Sequence, residues 1–173
     1  ESLALQDALT GLSNRRAGET RLAAMLLEFQ QIRQPFALLY ADIDHFKQVN
    51  DRFGHDIGDR VLYMIAQTFK HNLRQNDLVC RWGGEEFVAM IRDVSEESMQ
   101  QVALKLLALT ERARLDLKDQ KVTVTISIGA TLSRGGDTLD EITRRADALM
   151  YESKKNGRNR YSYYTKSLQE AAQ

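Results

Sequence analysis

The 173-residue chain has one cysteine, Cys80, one proline, Pro35, and three histidines. A lone cysteine excludes an internal disulfide and any zinc site built on paired thiolates, and it fits a reducing, cytoplasmic setting. With a single proline and no interior Gly/Ser-rich tract there is no linker at which to divide the chain, and its length suits one domain with a sizeable core. Charge of either sign is not in excess: 24 basic residues balance 24 acidic ones. That argues against a protein that coats nucleic acid or lies on a membrane, so neither partner is expected for this segment. No apolar run approaches a membrane span and no secretory leader is visible. The sequence also lacks an initiator methionine and reads as starting inside a helix. The expectation is a piece of a longer protein whose preceding part decides any anchoring.

What is present is ordinary in amount, 43% hydrophobic and 28% charged, and specific in arrangement. Residues 1–12 read as the end of a linker helix and a turn, Asp7-Ala8-Leu9-Thr10-Gly11-Leu12. Ser13 or Asn14 can cap a helix with Leu22, Met25, Leu26 and Phe29 on one face. Phe36 to Ala41 is a short bounded apolar run, predicted to be a strand buried on both faces. It ends in Asp42-Ile43-Asp44, whose alternation puts the two aspartates on one side. His45 to His55 reads as short helix or loop, and Asp56 as the cap of a helix carrying Ile57, Val61, Ile65, Phe69 and Leu73 inward. A third helix is predicted from about Ser95 to Arg114. Val122, Val124, Ile126 and Ile128 alternate with polar residues, predicting a half-exposed strand. Thr138 and Glu141 form a capping-box pair opening a last helix, Gly157 stops it, and Arg160 to Tyr164 is a short final strand. The polar tail, 165–173, is expected to fray.

The chain is organised around Arg81-Trp82-Gly83-Gly84-Glu85-Glu86-Phe87. Apolar runs on either side of Gly-Gly predict a β-hairpin with a type I′ turn, both glycines at φ > 0. Two carboxylates follow at the mouth of a buried strand, where charge is costly unless a cation neutralises it. The element order (strand, helix, hairpin, helix, strand, with an appended helix and strand) is a split βαβ arrangement in the α/β (α+β) class, a ferredoxin-like βαββαβ sheet. That topology sets the first strand beside the hairpin and predicts that Asp42, Asp44, Glu85 and Glu86 converge. Hard oxygen ligands with room for water and phosphate suit magnesium, with manganese an acceptable substitute. An EF-hand reading of Asp42-Ile43-Asp44 fails, because the sixth position is Lys47 and the twelfth Phe53. A magnesium ion between carboxylates suits phosphoryl or nucleotidyl transfer. Lys47, Asn50, His55 and Asp59 lie near the same strand end in sequence, and Lys154 and Arg158 near the chain's end. A triphosphate needs such cations, and guanine's edge needs a carboxylate beside an amide. Taken singly, each is an ordinary surface residue.

Together these blocks resemble the GGDEF-domain diguanylate cyclases, in the Gly-Gly-Glu-Glu-Phe form of their signature. The match includes Asp7 to Leu12 with Asn14-Arg15, Asp42 to Lys47 with Asn50-Asp51, Gly54-His55 and Gly58-Asp59. It continues through Ser127-Ile128-Gly129, Ala146-Asp147, Met150-Tyr151, Lys154 and Gly157-Arg158-Asn159, so it covers nearly the whole chain, with 13–164 as the catalytic domain. The resemblance implies a nucleotidyl-cyclase, polymerase-palm-like fold that condenses two GTP into cyclic di-GMP and two pyrophosphates. It implies that Asp42, the Ile43 carbonyl and Glu85 bind magnesium, that Glu86 lies beside them, and that Glu85 is the acid assisting deprotonation of the ribose 3′-hydroxyl. Asn50 and Asp59 would read guanine, with His55 close to the nucleoside. The amides of Phe46 and Lys47 and the side chains of Lys154 and Arg158 would hold phosphates. One GTP per domain implies a homodimer, because a lone domain positions only one reactant. Arg74-Gln75-Asn76-Asp77 resembles the family's inhibitory product site, where Arg74 and Asp77 would bind cyclic di-GMP. A catalytically silent GTP or cyclic di-GMP sensor is the alternative, and a template-copying polymerase is disfavoured by the neutral charge.

Overall fold

The computed structural model describes residues 2–164; the tail expected to fray, 165–173, lies outside them. The chain opens with a 3₁₀ turn at Ser2–Leu5, and Gln6 bridges to Ser13. The linker-helix end expected over 1–12 is therefore a single 3₁₀ turn followed by a wide loop. Then come β1 (Ser13–Asn14), α1 (Arg15–Ile32), β2 (Phe36–Ile43), α2 (Phe46–Phe53) and α3 (His55–Asn72). The hairpin strands β3 (Leu78–Arg81) and β4 (Glu86–Arg92) precede α4 (Glu96–Arg112), β5 (Leu115–Asp116), β6 (Lys121–Val122), β7 (Ile126–Leu132), α5 (Leu139–Lys155) and β8 (Arg160–Tyr163). No described helix is long and apolar enough to cross a membrane.

Six strands form one sheet in the order β1-β3-β4-β2-β7-β8, and β5 and β6 form a separate two-stranded ribbon. β2 lies antiparallel between β4 and β7, so it neighbours the hairpin as the topology required. All eight residues of β2 are buried. Period-2 alternation sends Ala37, Leu39, Ala41 and Ile43 into the core with α3 and α4, and Phe36, Leu38 and Tyr40 into the core with α1 and α5. Both faces are covered, which is why the strand reads as continuous apolar sequence.

Local signals hold at most helix ends. Asn14 Oδ1 accepts from Ala17 N at 3.0 Å to cap α1, and Thr138 and Glu141 form the expected capping box of α5. The segment after His45 is the short helix of the two readings offered for it, α2, entered through a left-handed His45 (φ 55°). Two expectations are corrected. α3 starts at His55 after Gly54, whose φ of 87° suits glycine, and Asp56 lies in its first turn instead of capping it. The alternating run 122–128 is not one half-exposed strand. Val122 belongs to the β6 ribbon, while β7 packs between α4 and α5 with Ser127 fully buried.

Candidate active site

The site grows from the parity of β2. Asp42 points to the α1–α5 side, and the antiparallel register sets it directly opposite Glu86, the first residue of β4. Directly opposed residues of an antiparallel pair share a face. Glu85 precedes it in the hairpin loop, and its carbonyl accepts from Ile43 N at 3.2 Å, fixing the loop to the end of β2. The loop differs from expectation. It has four residues, Trp82 to Glu85, closed by Trp82 N and Gly83 N donating to the Glu86 carbonyl at 2.8 and 3.3 Å. Neither Gly83 nor Gly84 has a positive φ, because a loop this wide reverses the chain without a mirror-image turn. Gly83 leaves room for a carboxylate: a Cβ there would lie 2.6 Å from Glu86 Oε2 and displace it.

Sequence reasoning missed what braces this loop. Arg81 donates from Nε and Nη2 to the Gly84 carbonyl at 3.1 and 2.8 Å, and from Nη1 to Asp7 at 3.1 Å. Asp7 also accepts the Thr10 amide and hydroxyl at 2.8 and 2.7 Å. Partial burial pushes its carboxyl upward, but the Thr10 and Arg81 donors outweigh burial and hold it below its ordinary value. The opening turn and the signature loop are thus one hydrogen-bonded unit. Arg81 and Asp7 both stood in quoted motifs, but nothing in either motif announced the pairing.

Electrostatics set the carboxylates apart. Burial raises the Asp42 carboxyl above its ordinary value, with the Asp44 charge adding to the rise and Lys154 opposing it. Burial also raises Glu85, reinforced by the charge of Asp42. Glu86 accepts from the Tyr40 hydroxyl at 2.9 Å. Burial, and then that hydrogen bond, push the Tyr40 hydroxyl well above its usual range, so it stays a donor. Asp44 meets Asp42 at Lys154, so the acids do converge, but its oxygens are engaged from other sides. It accepts from the Ser127 and Thr125 hydroxyls at 2.6 and 2.7 Å and from the Asn159 amide at 3.0 Å. It is a buried anchor joining β2, β7 and the turn after α5, and Asp42, Glu85 and Glu86 form the open edge.

Among the described residues no group of three or more His, Cys, Asp or Glu side chains is arranged to hold a metal ion. The ligand set implied by resemblance needs only two carboxylates and a main-chain carbonyl. The donors that fit are hard oxygens, and Lys154 Nζ already stands 2.7 Å from Asp42 Oδ1 as a cation in the same place. That chemistry suits magnesium completed by water and phosphate oxygens.

Phe46 and Lys47 open α2, where first-turn amides have no intrahelical acceptor. Asn50 is half-buried against α3. A Cβ on Gly58 would fall 1.9 Å from its Oδ1, so this glycine admits the carboxamide. His55 and Asp59 are exposed on α3. Asp59 lines a hollow of about 330 Å³ with Leu9, Tyr63 and Leu115. Lys154 reaches Asp42 at 2.7 Å, while Arg158 is exposed in the left-handed turn that follows α5 (φ 63°). Arg74 and Asp77 do meet, at 3.3 Å, but Asp77 is enclosed, its side chain 2% exposed. It accepts the amides of Arg74 and Arg92 at 3.0 and 3.2 Å, whereas the Arg74 guanidinium is open to solvent.

This geometry is similar to that of known proteins. The family model "Diguanylate cyclase, GGDEF domain" matches residues 4–160, and the chain belongs to that family. It is 38% identical over 157 residues to the diguanylate cyclase DgcP of Pseudomonas aeruginosa, covering 91% of this chain and 23% of DgcP. It is 40% identical over 167 residues to the response regulator PleD of Caulobacter vibrioides, covering 91% of this chain and 35% of PleD. Among solved structures, the GGDEF domain of DgcB from Caulobacter crescentus in complex with c-di-GMP superposes with a TM-score of 0.89. The identity there is 29%, over 92% of this chain and 93% of that one. The chain therefore spans about a quarter to a third of the length of these curated relatives.

Proposed function

We propose that this domain is a diguanylate cyclase that condenses two GTP into cyclic di-GMP and two pyrophosphates, working in the cytoplasm as a homodimer with one GTP per domain. The observation that carries the reading is the edge itself. Asp42 and Glu85, with raised carboxyls, stand beside Glu86 at the mouth of the hairpin, with the Lys154 ammonium 2.7 Å from Asp42. Asp42, the Ile43 carbonyl and Glu85 would hold magnesium, which when bound supplies charge neutralisation at the α-phosphate. Glu85 assists removal of the 3′-hydroxyl proton; the freed oxygen forms a bond to the α-phosphorus of the GTP on the facing domain as the bond to pyrophosphate breaks. Phe46 and Lys47 amides, Lys154 and Arg158 bind phosphates, and Asn50, Asp59 and His55 orient the guanosine. Two such transfers close the ring, so two domains must meet face to face.

The test is incubation with GTP and magnesium over a protein concentration series, with products separated by chromatography. Cyclic di-GMP forming faster than linearly with protein concentration is the expected result. Tight GTP or cyclic di-GMP binding without turnover, even in a forced dimer, would replace this reading by the sensor one.

Arg74 and Asp77 form the inhibitory product site within the same proposal. The solvent-facing guanidinium can stack on and fork to a guanine, and the DgcB domain named above was solved with c-di-GMP. Arg74→Ala is expected to weaken product inhibition by about tenfold or more while the initial rate stays near that of the wild type. An unchanged inhibition curve would remove this site from the proposal.

A further inference from the structure

Lys154 sits where two roles meet. Its Nζ lies 2.7 Å from Asp42 Oδ1 and 3.5 Å from Asp44 Oδ1, with only a fifth of the side chain exposed. The charged groups facing it are Asp42, Asp44 and Glu85. Asp44 is committed elsewhere by the Ser127 and Thr125 hydroxyls and the Asn159 amide. Asp42 is the member of the pair at the open edge. A divalent ion bound to Asp42 at about 2.0–2.1 Å would have to share that carboxylate with an ammonium already in hydrogen-bond contact. Two cations that close repel strongly in a half-buried site. Each therefore weakens the other's hold on Asp42.

The backbone cannot supply the movement cheaply. Lys154 lies in the last turn of α5, and the following left-handed turn, Gly157 to Asn159, is pinned to Asp44 through the Asn159 amide and to α5 through Arg158 N donating to the Ser153 carbonyl at 3.0 Å. The lysine stem, four flexible methylenes, can swing alone. A triphosphate offers the departing ammonium a new anion, whereas a metal ion by itself offers none.

We propose that Lys154 is an exchangeable cation that neutralises Asp42 until metal and nucleotide arrive together, and then transfers its charge from the carboxylate to the phosphates. Metal alone therefore binds weakly, and metal and nucleotide bind with positive, reciprocal coupling. The inference rests on the metal-site reading given under the proposed function and adds an order of events to it.

The test uses manganese alone, without nucleotide, titrated into the purified chain and followed by the electron paramagnetic resonance of free Mn²⁺. Lys154→Met removes the competing charge at nearly constant length, and is expected to bind Mn²⁺ about tenfold or more tightly than the wild type, in the usual range of coupling between sites. Lys154→Arg keeps the charge and should bind as weakly as the wild type. Adding Asp42→Asn to Lys154→Met should abolish the gain. If Asp42→Asn weakens Mn²⁺ binding but Lys154→Met does not strengthen it, the exchange is wrong and the metal site stands. If Asp42→Asn changes nothing in either background, the metal-site reading itself fails. Thermal unfolding checks that each variant is folded; should the methionine variant not fold, Lys154→Gln carries the same expectation.

Discussion

Asp42→Asn and Glu85→Gln are each expected to reduce cyclic di-GMP formation by roughly 10³-fold or more, the scale on which removing a preorganised charge from a reacting centre acts. Both substitutions keep side-chain shape and remove only charge. Asp42 is 8% exposed at the end of a strand paired on both sides, so the amide variant retains its packing and its neighbours. Lys154 keeps Asp44 as a partner in the Asp42→Asn protein, and the domain should therefore unfold close to the wild-type midpoint. The loss should persist in kcat at saturating GTP, with the affinity for GTP lowered as well, because metal and nucleotide binding are coupled. Glu86→Gln tests a different role. Its carboxylate is held by the Tyr40 hydroxyl and by the space above Gly83, and so it shapes the loop that presents Glu85. Chromatography of timed GTP incubations measures all of these. Either of the first two variants retaining more than about a tenth of wild-type turnover would remove that carboxylate from the chemistry.

Much of this arrangement was legible in the residues, and the reasons are physical. The unbroken apolar run of β2 could only be a strand covered on both faces, and its period of two fixed the side on which Asp42 would emerge. The capping pair Thr138 and Glu141 announced α5 because a helix N-terminus needs those acceptors. What escaped were interactions between residues far apart in sequence. The commitment of Asp44 depends on Thr125 and Ser127, some eighty positions away, and no local pattern distinguishes an anchoring aspartate from a ligand two residues earlier. The brace from Arg81 to Asp7 spans 74 positions. Gly-Gly predicts positive φ at the hairpin turn, and neither residue has it. Gly83 instead answers a demand for room beside a carboxylate, and only the register of Glu86 reveals that. The contact of Lys154 with Asp42 links positions more than a hundred residues apart, and no local pattern announces it.

The largest expected effect on stability is at Gly129. This glycine lies in the middle of β7, paired with Tyr40 on β2 and Ser162 on β8, and its φ is not in the left-handed region. Its requirement is close approach, not conformation. A Cβ there would fall 2.0 Å from the Ala146 carbonyl oxygen, 2.3 Å from Met150 N and 2.8 Å from the Leu149 carbonyl carbon, all backbone atoms of α5. No rotamer change relieves such a contact; the helix must move off the sheet. Ordinary overpacking costs about 1–3 kcal/mol. Displacing a whole helix from a fully buried face, where Ala146 and Ile142 are completely enclosed, is expected to cost roughly 3–5 kcal/mol in Gly129→Ala, the range reserved for a few severe mechanisms. For a domain of this size that lowers the melting midpoint by about 6–20 °C. Gly84→Ala is the matched control, since nothing lies within 4 Å of the added methyl group. Turnover should suffer along with stability, because α5 carries Lys154 to Asp42 and a helix lifted from β7 takes that cation with it. Thermal melts of the two variants beside the wild type measure the difference. A Gly129→Ala midpoint within about 2 °C of the wild type would mean that β7 and α5 pack less closely than this geometry requires.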